Sequence, residues 1–244
     1  MTARLLALVI LLGAMFPRVA ADDSVASYET DTVRFTPRQL IAPAALITVG
    51  SLGVSLKPFK QARTWVNNEI GVHKCGPYDD IMQYIPGAAY LFLDFTGIKA
   101  RKPFVDRVIV GATGLILMEA LVHGTKHIVN EPRPSGDHHS FPSGHTAAAF
   151  LGAELLRQDY GPWVGAVGYT MASAVGVMRI LNGRHWLNDV LAGAGIGILC
   201  ARAGEWLLPF NRRWLGLDRR RGQAAVIVPT VSTSSASLTA LVVF

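Results

Sequence analysis

The sequence predicts an all-α protein, a bundle of six helices embedded in a membrane. Three observations point there. Of the 244 residues, 50% are apolar and only 16% are charged, with a mean hydropathy of +0.32; soluble domains carry about 25% charge. Apolar runs recur between polar connections, and Gly and Ala crowd them, as in Ala192-Gly193-Ala194-Gly195, where small residues let helices approach closely in lipid. Alternating β-branched patterns are sparse before residue 223, so the runs read as helices and not strands.

The elements follow in order. Residues 1–21 read as an export signal: Arg4 supplies positive charge, Leu5 to Phe16 is apolar, and Val19-Ala20-Ala21 offers small residues for cleavage. An uncleaved anchor is the alternative, although the run is short for a span. Residues 22–39 form a polar N-terminal segment, and a helical domain occupies 40–210. Its first helix is 40–56, uncharged and containing Pro43; 57–80 is mixed and polar and reads as a connection. The second helix, 81–98, is interrupted by Pro86 and Asp94, with Asp79-Asp80 ahead of it as an N-cap pair. The third, 108–126, carries a single acid, Glu119, which in an apolar run is either functional or packed on a polar partner. After a polar loop at 126–144 come helices at 145–157, 161–179 and 186–208. A basic segment and a tail fill 211–244; Val226 to Val228 and Ser237 to Val243 are β-prone, which predicts a short hairpin or disorder.

Charge narrows the class. The formal charge is +6, with basic residues gathered at Lys99, Arg101, Lys102 and Arg107 and again at Arg212, Arg213, Arg219, Arg220 and Arg221. Both clusters flank apolar segments, which suits loops held on the cytoplasmic side better than a nucleic-acid face; no nucleic-acid partner is expected. With those loops inside, the connections at 126–144 and 179–189 fall on the exported side. A cleaved signal and a spanning 40–56 then disagree in direction, so either the N-terminal run is an anchor inserted the other way or 40–56 does not fully span. Cys75 and Cys200 lie far apart and read as free thiols.

Three motifs carry the chemistry. Lys126, Arg133 and Pro134 are spaced as K-x6-R-P; Pro142-Ser143-Gly144-His145 follows; Arg179, His185 and Asp189 are spaced as R-x5-H-x3-D. His185 and Asp189, four apart, share a helix face, so the carboxylate can orient one ring nitrogen and leave the other free to attack. Ser143 is a good N-cap, Gly144 lets the backbone approach a ligand, and a helix N-terminus favours anions. His145, in the first turn, is placed to give a proton to a leaving oxygen. Lys126, Arg133 and Arg179 bring three cations towards one anion. That inventory suits phosphoryl transfer through a histidine nucleophile without a metal. Other histidines, His73, His123, His127, His138 and His139, read as structural or surface groups, and Arg184 as either a headgroup contact or a solvated side chain.

The stretches K-H-I-V-N-E-P-R-P (126–134), F-P-S-G-H-T (141–146) and R-I-L-N-G-R-H-W-L-N-D-V (179–190) resemble the type-2 phosphatidic acid phosphatase superfamily, which also includes bacterial acid phosphatases and vanadium haloperoxidases. The resemblance covers residues 80–208. It implies His185 as the nucleophile that forms a phosphohistidine, Asp189 as its orienting partner, and His145 as the general acid. Lys126, Arg133, Ser143, Gly144 and Arg179 become the phosphate clamp, with no metal or cofactor. Met178 stands where the family often has Ser. Low charge and apolar helices favour the lipid branch: a membrane lipid phosphate or diphosphate as substrate, in the inner membrane of a bacterial cell envelope with the site facing the periplasm. The alternatives are a phosphotransferase with the same site, a soluble periplasmic acid phosphatase, a vanadate haloperoxidase and a non-enzymatic membrane scaffold.

Overall fold

A computed structural model describes residues 35–70, 75–217, 224–232 and 235–243. The export signal and most of the polar segment after it lie outside the described residues, as does His73. After a 3-10 turn at Pro37–Leu40, the helices are α1 (Ile41–Ser55), α2 (Lys57–Ile70), α3 (Tyr78–Met82), α4 (Ile85–Phe92), α5 (Phe104–Val129), α6 (Gly144–Tyr160), α7 (Pro162–Leu181), α8 (Leu187–Trp206) and α9 (Leu208–Trp214). A second 3-10 turn, Leu93–Thr96, follows α4. Strands β1 (Ala224–Ser232) and β2 (Ser235–Val243) pair antiparallel.

The all-α bundle forms as expected, but the described residues hold nine helices where the sequence predicts six. Two departures have simple causes. The predicted helix at 81–98 is broken into α3, α4 and a 3-10 turn, because Pro86 has no N–H to give and its ring crowds the carbonyl of Met82, four residues back; Gly97, at φ 95°, then ends the run. The polar connection at 57–80 instead contains α2. Its Lys, Gln, Ala, Arg and Glu are good helix formers, and Pro58 sits in the first turn where proline is tolerated; polarity alone hid it. Asp79 and Asp80 are not N-caps either. Pro77 holds that position, and both acids lie in the first turn of α3.

α6 is the central element: it packs on α4, α7 and α8, and α8 also packs on α1 and α5. The core joins Val110, Met118 and Val122 of α5 to Leu151 and Leu155 of α6 and Ile196 and Cys200 of α8. α6 and α8 meet almost backbone to backbone. A Cβ at Gly193 would lie 2.4 Å from the Ser143 carbonyl oxygen, and one at Gly197 2.2 Å from that of Ala147. These glycines seat the start of α6, which carries the second motif, directly on α8, which carries part of the third.

The opposite end of the bundle is held by ion pairs. Arg107 is fully buried and donates to the Tyr90 and Leu91 carbonyl oxygens at 3.2 and 3.3 Å, to Asp94 at 3.1 Å, and to the Tyr160 hydroxyl. Lys102 bridges Asp159 at 2.9 Å and Glu205 at 2.7 Å, Arg101 reaches Glu205 at 2.6 Å, and Arg212 pairs with Asp106. Much of the basic 99–107 loop is thus neutralised within the fold. One described helix, α7, is by itself long and apolar enough to cross a membrane. Two bent pairs pass the same test together: residues 37–55 with 57–69, bent by 94°, and α8 with α9, bent by 50°.

Candidate active site

The first motif ends α5. Asn130, in the left-handed region at φ 45°, terminates the helix and turns the chain into the 131–143 loop. Lys126 is anchored there: its Nζ donates to the His139 carbonyl oxygen at 2.7 Å, while His139 Nδ1 lies 3.0 Å from the Lys126 carbonyl oxygen. His139 therefore braces the loop and does not line the site. Arg133 N–H donates to the Asp137 carbonyl oxygen at 2.7 Å, closing a tight turn in the loop.

The second motif starts α6. Ser143 is its N-cap, fully buried, with its Oγ 2.9 Å from the Thr146 hydroxyl and 3.4 Å from the Thr146 N–H. Its N–H donates to the Asp189 carbonyl oxygen at 3.0 Å. A Cβ at Gly144 would meet only Val122, at 3.5 Å, so no internal clash demands glycine there; its distinguishing feature is its place on a cavity wall.

The third motif spans the α7–α8 turn. Asp189 stands in the first turn of α8, where a carboxylate complements the helix dipole, and accepts from the Trp186 N–H at 2.9 Å, from Asn188 Nδ2 at 3.0 Å, and from the Ser140 hydroxyl. His185 Nδ1 is 3.5 Å from Asp189 Oδ2 and has no closer partner. That is long for a hydrogen bond, as catalytic contacts often are before substrate binds. Burial pushes the His185 imidazole down to about 4, so the ring is neutral at ordinary pH.

One cavity of about 760 Å³ collects most of this chemistry: Lys126, Arg133, Gly144, His145, Arg179 and His185 all line it. Ser143 and Asp189 stand behind the wall, holding Thr146 and the His185 turn. The Nε atoms of Arg133 and Arg179 are buried without partners, donors left open for an anion. Burial first, and then the nearby Arg179 charge, lower the proton affinity of Arg133. Beyond this polar end the cavity runs between α4, α5 and α6 past Ala88, Leu91, Gly111 and Leu115.

Sequence reasoning missed two residues that touch the site. Asp79 is buried and accepts from Arg179 Nη1 at 2.6 Å and from Asn182 Nδ2 at 3.2 Å. Asp80 Oδ1 is shared by His145 Nε2 at 2.8 Å and Arg179 Nη1 at 3.4 Å, so its carboxylate sits where two predicted site residues converge. No local signal marks a carboxylate that meets its partner a hundred residues later. Arg63 of α2 is a further contact: it pairs with Glu131 and stacks on Trp186 at 4.8 Å, tying α2 to the site loops. Met178 packs as an apolar side chain against a cluster of Ala149, Ala153, Ala172 and Val175. Among the described residues no group of three or more His, Cys, Asp or Glu is arranged to hold a metal ion.

Asp79→Ala tests the grip on Arg179. It leaves a buried guanidinium short of its strongest partner, and misplacing such a group by about 1 Å costs on the order of 100-fold in rate. Steady-state kinetics should show kcat/KM falling by that order while Asp79→Glu retains more activity.

Comparison with known proteins matches the stretch that carries two of the motifs. The model of the PAP2 superfamily matches residues 135–213, which contain the second and third motifs; Lys126 and Arg133 lie just ahead. The chain is 41% identical over 134 residues to the lipid A 1-phosphatase of Porphyromonas gingivalis, covering 53% of this chain and 30% of that protein. It is 31% identical over 106 residues to the undecaprenyl-diphosphatase of Sulfolobus acidocaldarius, covering 41% of this chain and 50% of that protein. The chain thus spans half or less of the length of these curated relatives. The crystal structure of Aquifex aeolicus LpxE aligns at 27% identity with a TM-score of 0.44, over 59% of this chain and 92% of that one.

Proposed function

We propose that the chain, matched by the PAP2 superfamily model over residues 135–213, is a member of that superfamily and a metal-independent phosphatase of a lipid phosphate or diphosphate, acting through a phosphohistidine. The observation that carries the reading is the cavity of about 760 Å³, whose cationic end meets His185 and His145 and whose other end is apolar.

On this reading the reaction runs as two displacements. The substrate phosphoryl group enters among Lys126, Arg133, Arg179 and the Gly144 backbone, taking the place that the Asp80 carboxylate holds between His145 and Arg179. The neutral Nε2 of His185, opposite the Nδ1 that faces Asp189, forms a P–N bond as the P–O bond to the leaving group breaks. His145 gives its proton to the departing oxygen. Asp189 tightens on Nδ1–H and offsets the charge that develops on the ring. Water then attacks phosphorus, His145 takes its proton, the P–N bond breaks and inorganic phosphate leaves. The clamp supplies positioning and charge stabilisation throughout.

We place the enzyme in a bacterial envelope membrane with an export signal or anchor at 1–21 and the site facing the periplasm. Topology supports this: the three motifs cluster at one end of α5–α8, while Arg101, Lys102, Arg107 and Arg212 lie at the other. The 26 residues of α5 separate the two ends, about 40 Å at ~1.5 Å per residue. Exposed Phe95, Trp163, Phe210 and Trp214 gather at the basic end, as aromatic side chains do at a membrane–water boundary. Detergent-solubilised protein should release inorganic phosphate from lipid phosphates, undiminished by EDTA. A rate that collapses with EDTA and returns with a divalent cation would contradict the mechanism; phosphate found on an added alcohol instead of free would mark a transferase.

A further inference from the structure

α5 presents one continuous stripe to the cavity: Val108, Ala112, Leu115, Glu119, His123 and Lys126, each three or four residues from the next. The stripe changes character along its length. From Val108 to Leu115 it is apolar, and from Glu119 to Lys126 it carries a carboxylate, an imidazole and an ammonium. Glu119 Oε2 and His123 Nε2 pair at 3.0 Å, with side chains still 53% and 65% exposed. Seven residues separate Glu119 from Lys126, about 10 Å along the helix axis.

Ionisable groups on the wall of a groove that takes lipid are costly unless they are used. A substrate whose hydrocarbon begins at the phosphate ester, such as an isoprenyl phosphate, would lay methylene groups against this pair. A substrate whose phosphate is borne on a sugar would do otherwise. Its hydroxyls would lie within reach of Glu119, an acceptor, and His123, a donor or acceptor, and its acyl chains would begin near Leu115, where the stripe turns apolar. We propose that Glu119 and His123 form a second polar subsite that hydrogen-bonds the sugar ring of a phosphorylated glycolipid and selects that class over isoprenyl phosphates. The proposal rests on the lipid-phosphatase reading above.

The test compares kcat/KM for two substrates, a diacylated glucosamine 1-phosphate and farnesyl monophosphate, using the full chain in detergent. Wild type, Glu119→Gln, His123→Phe and the double variant are measured. The ratio of kcat/KM, glycolipid over farnesyl, should fall about tenfold in each single variant, mainly through KM, as loss of a hydrogen bond to a charged group predicts. Taking the ratio within each variant removes any loss of folded protein. An unchanged ratio overturns the proposal and leaves Glu119–His123 as an ordinary helix-surface pair. Wild type that hydrolyses farnesyl monophosphate but not the glycolipid overturns it too, with the phosphatase reading intact. Turnover of neither substrate removes both.

Discussion

His185→Ala is expected to lower phosphate release by about 10^4-fold or more, the scale seen when a covalent nucleophile is removed from a site that otherwise remains. The residue is 2% exposed at the cationic end of the cavity, with one ring nitrogen turned to Asp189. On the proposed mechanism its removal takes away the atom that receives the phosphoryl group, while the cations Lys126, Arg133 and Arg179 remain on the cavity wall to bind an anion. Substrate or inorganic phosphate should therefore bind to the variant with an affinity changed far less than the rate. The pH dependence has a definite sign. Burial depresses the His185 value to about 4, against an ordinary ~6.5, so the ring remains uncharged and nucleophilic as pH falls from neutrality. Loss of kcat/KM through protonation of this ring belongs near pH 4, not near 6.5 as for an exposed histidine. Assays of wild type and variant across that range check both points.

Gly193→Ala is expected to damage stability and catalysis together. The added Cβ would stand 2.4 Å from the Ser143 carbonyl oxygen and 3.4 Å from the Ala147 N–H. Both neighbours are backbone, so no side chain can swing aside, and overpacking of this kind costs about 1–3 kcal/mol or more. The strain lands on the start of α6: Ser143 caps that helix, and the same carbonyl accepts from the Ala147 N–H at 3.0 Å. Moving it displaces Gly144 and His145 from the cavity wall. The melting temperature should fall by several degrees, at roughly 2–4 °C per kcal/mol for a domain of this size, and kcat should drop even in the fraction that remains folded. Gly124→Ala is the control. Its Cβ meets nothing within 4 Å, and replacing glycine inside a helix gains about 0.5–1 kcal/mol. A thermal melt paired with activity in one detergent separates the two outcomes; equal effects from both substitutions would contradict the close α6–α8 contact.

The placement of the candidate site residues is legible in the sequence where it depends on spacing along one helix or on a helix end. His185 and Asp189 four apart, Ser143 as an N-cap and Lys126 near the end of α5 are such cases. Helices recognised from apolar runs also appear close to where they were expected, as with 40–56 against Ile41–Ser55 and 161–179 against Pro162–Leu181. What escaped depends on partners distant in sequence. Asp79 and Asp80 carry a local signature that any helix start would share, and their contacts with Arg179 and His145 arise only when α3 packs beside α7. The resemblance places Ser143 in the clamp, yet its hydroxyl turns inward to Thr146. α2 escaped for the opposite reason. It is amphipathic but polar on average, so its short apolar stripe of Phe59, Trp65 and Val66 is outweighed by the polar residues of 57–80 around it, although Arg63 ties it to the site loops through Glu131 and Trp186. Glu119 stood out as an acid in an apolar run, and only the cavity shows which wall it occupies.

The central claim is that phosphate passes through His185. Rapid quench of the wild-type enzyme with a lipid substrate labelled in its phosphate, followed by peptide mapping, tests it most directly. The account predicts an acid-labile, alkali-stable phosphoryl group on the peptide that carries His185, formed as fast as the alcohol is released and absent in His185→Ala. Label on another residue, or alcohol release at full rate with no labelled enzyme at any time, would contradict it.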